Sequence, residues 1–553
     1  MKQILIVLIS LIVLSSCDSK ESKIEISKSP FVWEAANVYF LLTDRFNNGD
    51  TSNDVNFDRT KESGKLRGFE GGDIKGIIKK LKEGYFTKLG INAIWMTPIV
   101  EQIHGGTDEG TGVTYGFHGY WTKDWTKIDP NFGTKEDVKE LVQLAHKQGI
   151  RVLLDAVINH TGPVTEKDPV WPSDWVRTAP QCTYKDSETT IPCTLVENLP
   201  DVKTESNKAV ELPPYLVEKW KAEGRYDVEV AELNVFFERT GYPRAPRFYI
   251  MKWLTDYITK FGIDGYRVDT VKHVEDTVWQ EFKKECDIAF NQWKKDNPKR
   301  VLDENPFYLV GEVYGYGIHH KKQYDFGDKK VNYFDQAFQS LINFQFKWDA
   351  KQKSVSEVFK SYSNTLQNDL KGFGTMNYIS SHDDGQPYDA KREKSLLAGT
   401  LLLLAPGTSQ VYYGDESARS LVVEGAVGDA TLRSFMNWEE IANKEKSKQT
   451  LQHWQKLGKF RGKHVSVGAG IHQQISEKPY VFSRTYFKEN YKDKVVIGLN
   501  LLKGKKSITV GDIFSEGEVL RDAYSGVESK VLNGKVELHT EQTIVLLEKK
   551  IIK

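Results

Sequence analysis

Short apolar runs alternate with amphipathic stretches from about residue 36 to residue 460. Residues 38–42, Val-Tyr-Phe-Leu-Leu, are unbroken apolar, the pattern of a strand buried on both faces. Residues 74–89 then read as one helix stopped by Gly90, and 91–96 as the next strand. Val138, Leu141, Val142 and Ala145 recur at helical spacing, with Thr134 placed to cap that helix and Gly149 to end it. Further strands are predicted at 152–157, 265–271, 308–312, 376–381 and 410–413. Alternation over this length predicts an α/β chain whose parallel sheet closes as a (β/α)8 TIM barrel.

The pattern breaks twice. Residues 161–240, rich in Pro, Thr and charge, show no helix–strand alternation and read as a small subdomain inserted after the third strand. Beyond about 464, short β-rich segments separated by turns predict a C-terminal β-sandwich over 464–553. The barrel is then assigned to 31–160 and 241–463.

The N-terminus changes the picture of where the chain works. Met1-Lys2-Gln3 precedes an apolar run over 4–14, too short to span a bilayer and suited to a signal peptide over 1–16. Leu14-Ser15-Ser16-Cys17 resembles the bacterial lipobox, which implies cleavage before Cys17 and acylation of its thiol. Polar residues 17–30 read as a tether. The expected location is the bacterial cell envelope, with the membrane reached only through that lipid. In an exported chain a disulfide between the neighbouring Cys182 and Cys193 is expected, leaving Cys286 as a buried thiol. Lys+Arg and Asp+Glu are both 76, so the basic excess of a nucleic-acid binder is missing and a neutral polymer fits better.

Barrel active sites gather where strands end. Strand three runs out in Asp155-Ala156-Val157-Ile158-Asn159-His160, and strand four carries Gly265-Tyr266-Arg267-Val268-Asp269-Thr270-Val271-Lys272-His273. Strand five ends in Gly311-Glu312-Val313 and strand seven in His382-Asp383. Asp269, Glu312 and Asp383, with His160, His382 and Arg267, therefore converge at one mouth of the barrel.

In order and spacing these four segments resemble the signature regions of the α-amylase family of glycoside hydrolases. The resemblance covers most of 36–460. It implies Asp269 as nucleophile, Glu312 as general acid/base and Asp383 as the carboxylate that holds substrate hydroxyls. Arg267, two residues before Asp269, points to the same face of its strand. By the same resemblance His160, His382 and Tyr120, in His118-Gly119-Tyr120-Trp121, contact the sugar before the cleaved bond, with Trp121 beside them. Lys272 and His273 contact sugar beyond it, which favours α-1,4 linkages. Leu199-Pro200-Asp201-Val202 is similar to a family segment in the insertion.

Ca2+ is implied twice, since it takes six to eight oxygen ligands. Asn159, Asp201 and the His273 carbonyl match one family site. Asn48, Asp50, Asn53, Asp54, Gly71 and Asp73 match a second, best known in the cyclodextrin glycosyltransferase branch. The sequence departs from the family pattern at Ser409, where Pro is usual, at Ser380-Ser381 before His382, and at Val202-Lys203. The expected activity is retaining hydrolysis of α-1,4-glucans. The alternatives are a transglycosylase, a cyclomaltodextrinase- or neopullulanase-like hydrolase, and a silent glucan-binding protein. Oligomeric state is not legible.

Overall fold

The computed structural model describes residues 29–550, so Cys17 and the leader lie outside the described residues. Eight parallel strands close into a barrel: β1 (Asn37–Leu41), β2 (Ala93–Met96), β3 (Arg151–Ala156), β4 (Gly265–Val268), β5 (Tyr308–Gly311), β6 (Ser340–Asn343), β7 (Gly374–Asn377) and β8 (Thr408–Tyr412). Closure is made by β1 pairing β8, with Asn37 opposite Ser409 and Phe40 opposite Tyr412. Every residue of these eight strands is buried, because helices cover the outside and side chains fill the inside.

Five expectations need correction. Strand β6 carries only Leu341 and Ile342 between polar residues, and the apolar-run criterion passes over it. The predicted strand 265–271 ends at Val268; Thr270 is left-handed (φ 50°) and Val271–His273 is a single 3-10 turn. The single helix over 74–89 is two, Ile74–Lys82 and Tyr85–Lys88, broken at the left-handed Gly84 (φ 69°). The predicted strand 376–381 lies instead at Gly374–Asn377, and the insertion, read without helix–strand alternation, holds two successive helices, Pro214–Ala222 and Tyr226–Thr240. Its Trp171, Trp175 and Trp220 join the barrel's own core, Trp175 lying parallel to Trp253 at 6.2 Å. A disulfide links Cys182 and Cys193 within it, and Cys286 is a buried free thiol.

The C-terminal region is antiparallel. A six-stranded sheet orders β9 (Ile471–Ser476), β10 (Tyr480–Lys488), β11 (Tyr491–Leu499), β16 (Val545–Lys549), β13 (Val519–Asp522) and β14 (Glu528–Lys530). A two-stranded sheet pairs β12 (Gly504–Thr509) with β15 (Lys535–Thr540). Ile508, Val536 and Leu538 pack on Val496, Leu520 and Leu547 to form its core. Alternating buried and exposed residues along β12, β13 and β15 are the period-two pattern of half-buried strands. Among the described residues no helix is long and apolar enough to cross a membrane.

One polar cluster fastens this region to the barrel. His464, ending the helix Glu445–Lys463, places Nδ1 2.8 Å from Asp493 Oδ1 and Nε2 2.8 Å from Glu548 Oε2. Lys463 Nζ and Arg521 also face Glu548, and Ser466 N donates to Asp493. Burial disfavours the imidazolium, but both carboxylates more than offset this and raise the His464 pKa. The same contacts hold Asp493 and Glu548 below the usual range, against their burial. The histidine's stabilisation is full below its unfolded value of about 6.5 and is lost as pH rises through its raised folded value. The carboxylates' stabilisation is present above their unfolded values near 4 and is lost as pH falls through their lowered ones. His464→Leu is therefore expected to lower the melting temperature by several degrees near pH 6 and by less at pH 9. An equal deficit at both pH values contradicts the ion-pair account.

Candidate active site

The C-terminal ends of β3, β4, β5 and β7 bring the sequence-predicted carboxyls together. Arg267, 1% exposed, is the hub. Its Nη1 lies 2.6 Å from Asp269 Oδ1 and 3.0 Å from Asp155 Oδ1, and its Nη2 lies 3.0 Å from Glu312 Oε2. Glu312 Oε2 also accepts from the Thr270 backbone N–H at 2.9 Å. That contact uses the left-handed turn at Thr270, a conformation that costs a non-glycine residue about 1 kcal/mol or more. Asp269 and Glu312 thus face the two terminal nitrogens of one guanidinium.

The electrostatics separate the acids. Burial pushes Glu312 up; Arg267 opposes this, the charges of Asp269 and Asp383 add to it, and the carboxyl settles at about 8. Burial also raises Asp383, but His382, the Ser381 hydroxyl and Arg267 outweigh it and leave the group at about 2. Ser381 Oγ donates to Asp383 Oδ1 at 2.7 Å, so the serine at this unusual position supports the carboxylate directly. Burial drives Asp155 upward against the pull of Arg267.

Asp155 is the residue that sequence reasoning missed. It stands at the end of β3 inside a segment quoted for its other members. Its Oδ2 accepts from Trp95 Nε1 at 3.1 Å and from Tyr120 Oη at 2.8 Å. Tyr120 lies nearly parallel to His382, with ring centroids 5.2 Å apart. Arg433, also outside the sequence prediction, donates to the His382 carbonyl at 2.8 Å. Burial lowers the pKa of both histidines, His382 to about 4, so both present neutral imidazoles at pH 7. His160 Nε2 lies 3.1 Å from the Tyr120 carbonyl.

Other candidates are placed differently. Trp121 is buried with Ile103 and Leu199 and packs barrel against insertion. The His273 ring turns to the insertion, Nδ1 meeting the Thr190 carbonyl at 2.8 Å. Lys272 Nζ reaches the Tyr314 carbonyl at 3.2 Å and Tyr324 Oη at 3.3 Å, in a ring of tyrosines beyond Glu312.

Among the described residues no three His, Cys, Asp or Glu side chains converge as a metal centre. Oxygen sets do converge. The Asn159 amide stands 3.2 Å from Asp201 Oδ1 and 2.9 Å from the His273 carbonyl. Turned with its nitrogen towards them it donates to both; turned with its oxygen towards them it completes three converging acceptors, an arrangement that calls for a cation. In the loop before the first barrel helix, Asn48 Nδ2 donates to Asp54 Oδ1 at 2.9 Å, and Asn48 Oδ1 and Asn53 Oδ1 are buried without a partner. A Cβ on Gly71 would stand 2.5 Å from Asn48 Nδ2 and 2.7 Å from Asp54 Oδ1, so these three residues close on one point. Asp50 is engaged by Lys75, and Asp73 accepts from the N–H groups of Gly49, Asp50 and Gly76.

The family model described as "Alpha amylase, catalytic domain" matches residues 40–200 and 242–467. The chain is 34% identical over 529 residues to the periplasmic alpha-amylase of Escherichia coli K12, covering 85% of this chain and 73% of that one. It is 26% identical to a cyclomaltodextrinase from a Bacillus species, with 86% and 74% covered. A solved Anoxybacillus alpha-amylase superposes with a TM-score of 0.62 at 26% identity, covering 95% of this chain and all of the other.

Proposed function

The chain belongs to the alpha-amylase family of glycoside hydrolases acting on α-glucans, and within it we propose an α-1,4-glucan hydrolase of amylase type working by double displacement. The observation that carries this reading is the shared guanidinium. It holds Asp269 and Glu312 side by side, and burial with the neighbouring acids keeps a proton on Glu312. Two adjacent carboxyls, one of them a proton donor, are what retaining cleavage needs, whereas an inverting enzyme needs room for a water between them.

In this mechanism an oxygen of Asp269 attacks the anomeric carbon and the glycosidic C–O bond breaks. Glu312 gives its proton to the departing oxygen. Glu312, now ionised, takes a proton from water, whose oxygen attacks the same carbon and frees Asp269. Asp383, held at about 2, stays ionised and accepts from sugar hydroxyls. Neutral His160 and His382 supply uncharged hydrogen bonds, and Tyr120 offers a ring face for stacking. Lys272 among its tyrosines stands on the leaving-group side. The transglycosylase and cyclomaltodextrinase alternatives use the same acids and differ in whether water or sugar accepts the glycosyl unit.

Calcium fits both oxygen sets. Asn159, Asp201 and the His273 carbonyl would hold one ion between barrel and insertion. Asn48, Asn53, Asp54 and Gly71, with Asp50 and Asp73 beside them, would hold another. The metal would supply rigidity by tying loops together, not chemistry. Export is supported by the leader, the disulfide and the periplasmic relative; acylated Cys17 would be the tether.

The wild-type protein is expected to release short malto-oligosaccharides from soluble starch, and Glu312→Gln to release none above background. Panose from pullulan, or cyclic products from maltoheptaose, would move the protein to the alternatives. A general acid works only below its pKa, so kcat/KM should be retained through neutrality and fall on a basic limb near pH 8; a limb near pH 5 contradicts the assignment of Glu312. Metal bound only by the folded state stabilises it. EDTA is therefore expected to lower the melting temperature and added Ca2+ to restore it. An unchanged melting curve, with no calcium by elemental analysis, removes the metal sites.

A further inference from the structure

Two loops meet beside Lys272. The first, 182–193 in the insertion, is closed by the Cys182–Cys193 disulfide and braced by its own hydrogen bonds. Tyr184 Oη donates to the Leu195 carbonyl at 3.1 Å, and the Thr189 N–H donates to Asp186 Oδ1 at 2.9 Å. The second is the hairpin 324–331, whose paired strands, Tyr324–Asp325 and Lys330–Val331, are two residues each. Asp328, at the exposed tip of that hairpin, accepts from the Ser187 N–H at 3.0 Å and from the Ser187 hydroxyl. Among the described residues these are the two hydrogen bonds between the loops. A Cβ on Gly327 would lie 3.6 Å from the Lys185 carbonyl, so the backbones run close beside the contact.

We propose that Ser187 and Asp328 are a positioning pair, a latch that fixes the wall beyond the cleaved bond and so sets how firmly the leaving part of the chain is held. This rests on the reading of Lys272 as a contact on the leaving-group side. Each latched loop presents a tyrosine to that lysine. Lys272 Nζ lies 5.9 Å from the Tyr184 ring centroid and 5.8 Å from that of Tyr324, with Tyr314 at 5.3 Å. Tyr184 is 52% exposed and Tyr314 60%, so ring surface is left open for a sugar to stack on. The disulfide loop also grips the turn that bears Lys272, since the Thr190 carbonyl meets Nδ1 of the next residue, His273, at 2.8 Å.

The hairpin has little of its own to hold it in place. Two-residue strands are marginal by themselves, and Phe326 and Val331 are its buried anchors. Its tip is held by the insertion through Asp328. Bonds to a carboxylate are stronger than bonds between neutral groups, which suits a contact exposed to water. Joining the loops at Ser187 and Asp328 therefore fixes the spacing of Tyr184 and Tyr324 on either side of Lys272. Neither latch residue touches Asp269, Glu312 or Asp383, so the effect falls on binding and not on the bond-breaking step.

The test is the cleavage pattern of reducing-end-labelled maltoheptaose with Asp328→Ala. The distribution of cuts along one substrate does not depend on how much of the enzyme is folded, so lost stability alone does not move it. A weaker grip on the leaving part should shift cuts towards the reducing end, raising their share over internal cuts by about threefold to tenfold, the scale of one or two lost hydrogen bonds. KM for maltoheptaose should rise by a similar factor. Aglycone release from a chloronitrophenyl maltotrioside, which places only the aglycone beyond the cleaved bond, should stay within about twofold of wild type. Asp328→Asn keeps an oxygen that accepts from the Ser187 N–H and should keep the wild-type pattern. Opening the disulfide of the wild-type protein with dithiothreitol should move the cuts in the same direction as Asp328→Ala. An unchanged distribution in Asp328→Ala overturns the proposal. Equal losses on maltoheptaose and the maltotrioside, with the pattern kept, also overturn it and make the contact one of general support. No cleavage of maltoheptaose by the wild-type protein removes the glucan reading itself, a failure seen before any variant is made.

Discussion

Arg267 presents one guanidinium to three carboxyl groups, Asp155, Asp269 and Glu312, in a barrel mouth that is almost wholly buried. An arginine keeps its charge even when buried. Three ionised carboxylates around it would leave two negative charges uncompensated at low dielectric, which is costly. Retaining a proton relieves that cost, and Glu312 is where the charges of Asp269 and Asp383 make it cheapest to keep. The site's division of labour is therefore an electrostatic consequence of one cation among several acids. Protonation belongs to the cluster, since Asp155, Glu312 and Asp383 each shift with neighbouring charges.

The fold exists to hold that cation still. Strand β4 aims Arg267 and Asp269 from one face, and pairing registers Arg267 against Asp155 on β3 and Val310 on β5. Trp95 and Tyr120 then pin Asp155, so the hub is fixed from behind as well as from the cleft side. The insertion closes over the same mouth: Thr190 takes the His273 ring, and Asp201 meets Asn159. The Trp171, Trp175 and Trp220 side chains make this closure part of the barrel core, not a flap laid on it.

What was legible in the sequence followed physical visibility. Strands buried on both faces announce themselves as apolar runs, and β1, β2, β3 and β5 did so; β4, β7 and β8 carry polar residues, and β7 begins two residues before the predicted 376–381. The sixth did not because Ser340 and Asn343, the latter bonded to Asn377 and to the Ile318 N–H, leave only two apolar residues between them. In the insertion, Leu216, Trp220, Leu233, Phe236 and Phe237 carry a helical face, but surrounding Pro and charge masked its period. The carboxyls at the strand ends were legible because polar residues directly after an apolar run have few structural explanations. Asp155 was passed over because its importance lies in what touches it, and contacts across strands are not written in sequence order. Trp121 shows the converse: an aromatic beside a site can belong to packing alone.

The central claim is that Asp269, held by Arg267, bonds covalently to the sugar. The most direct measurement is to quench the enzyme during reaction with a 5-fluoro-α-glucosyl fluoride, digest it, and find the modified peptide by mass spectrometry. The account predicts one glycosyl adduct on Asp269, absent from Asp269→Asn, with the anomeric configuration of released products retained by NMR. No adduct, together with inverted products, would contradict it and would make Asp269 a base for water instead.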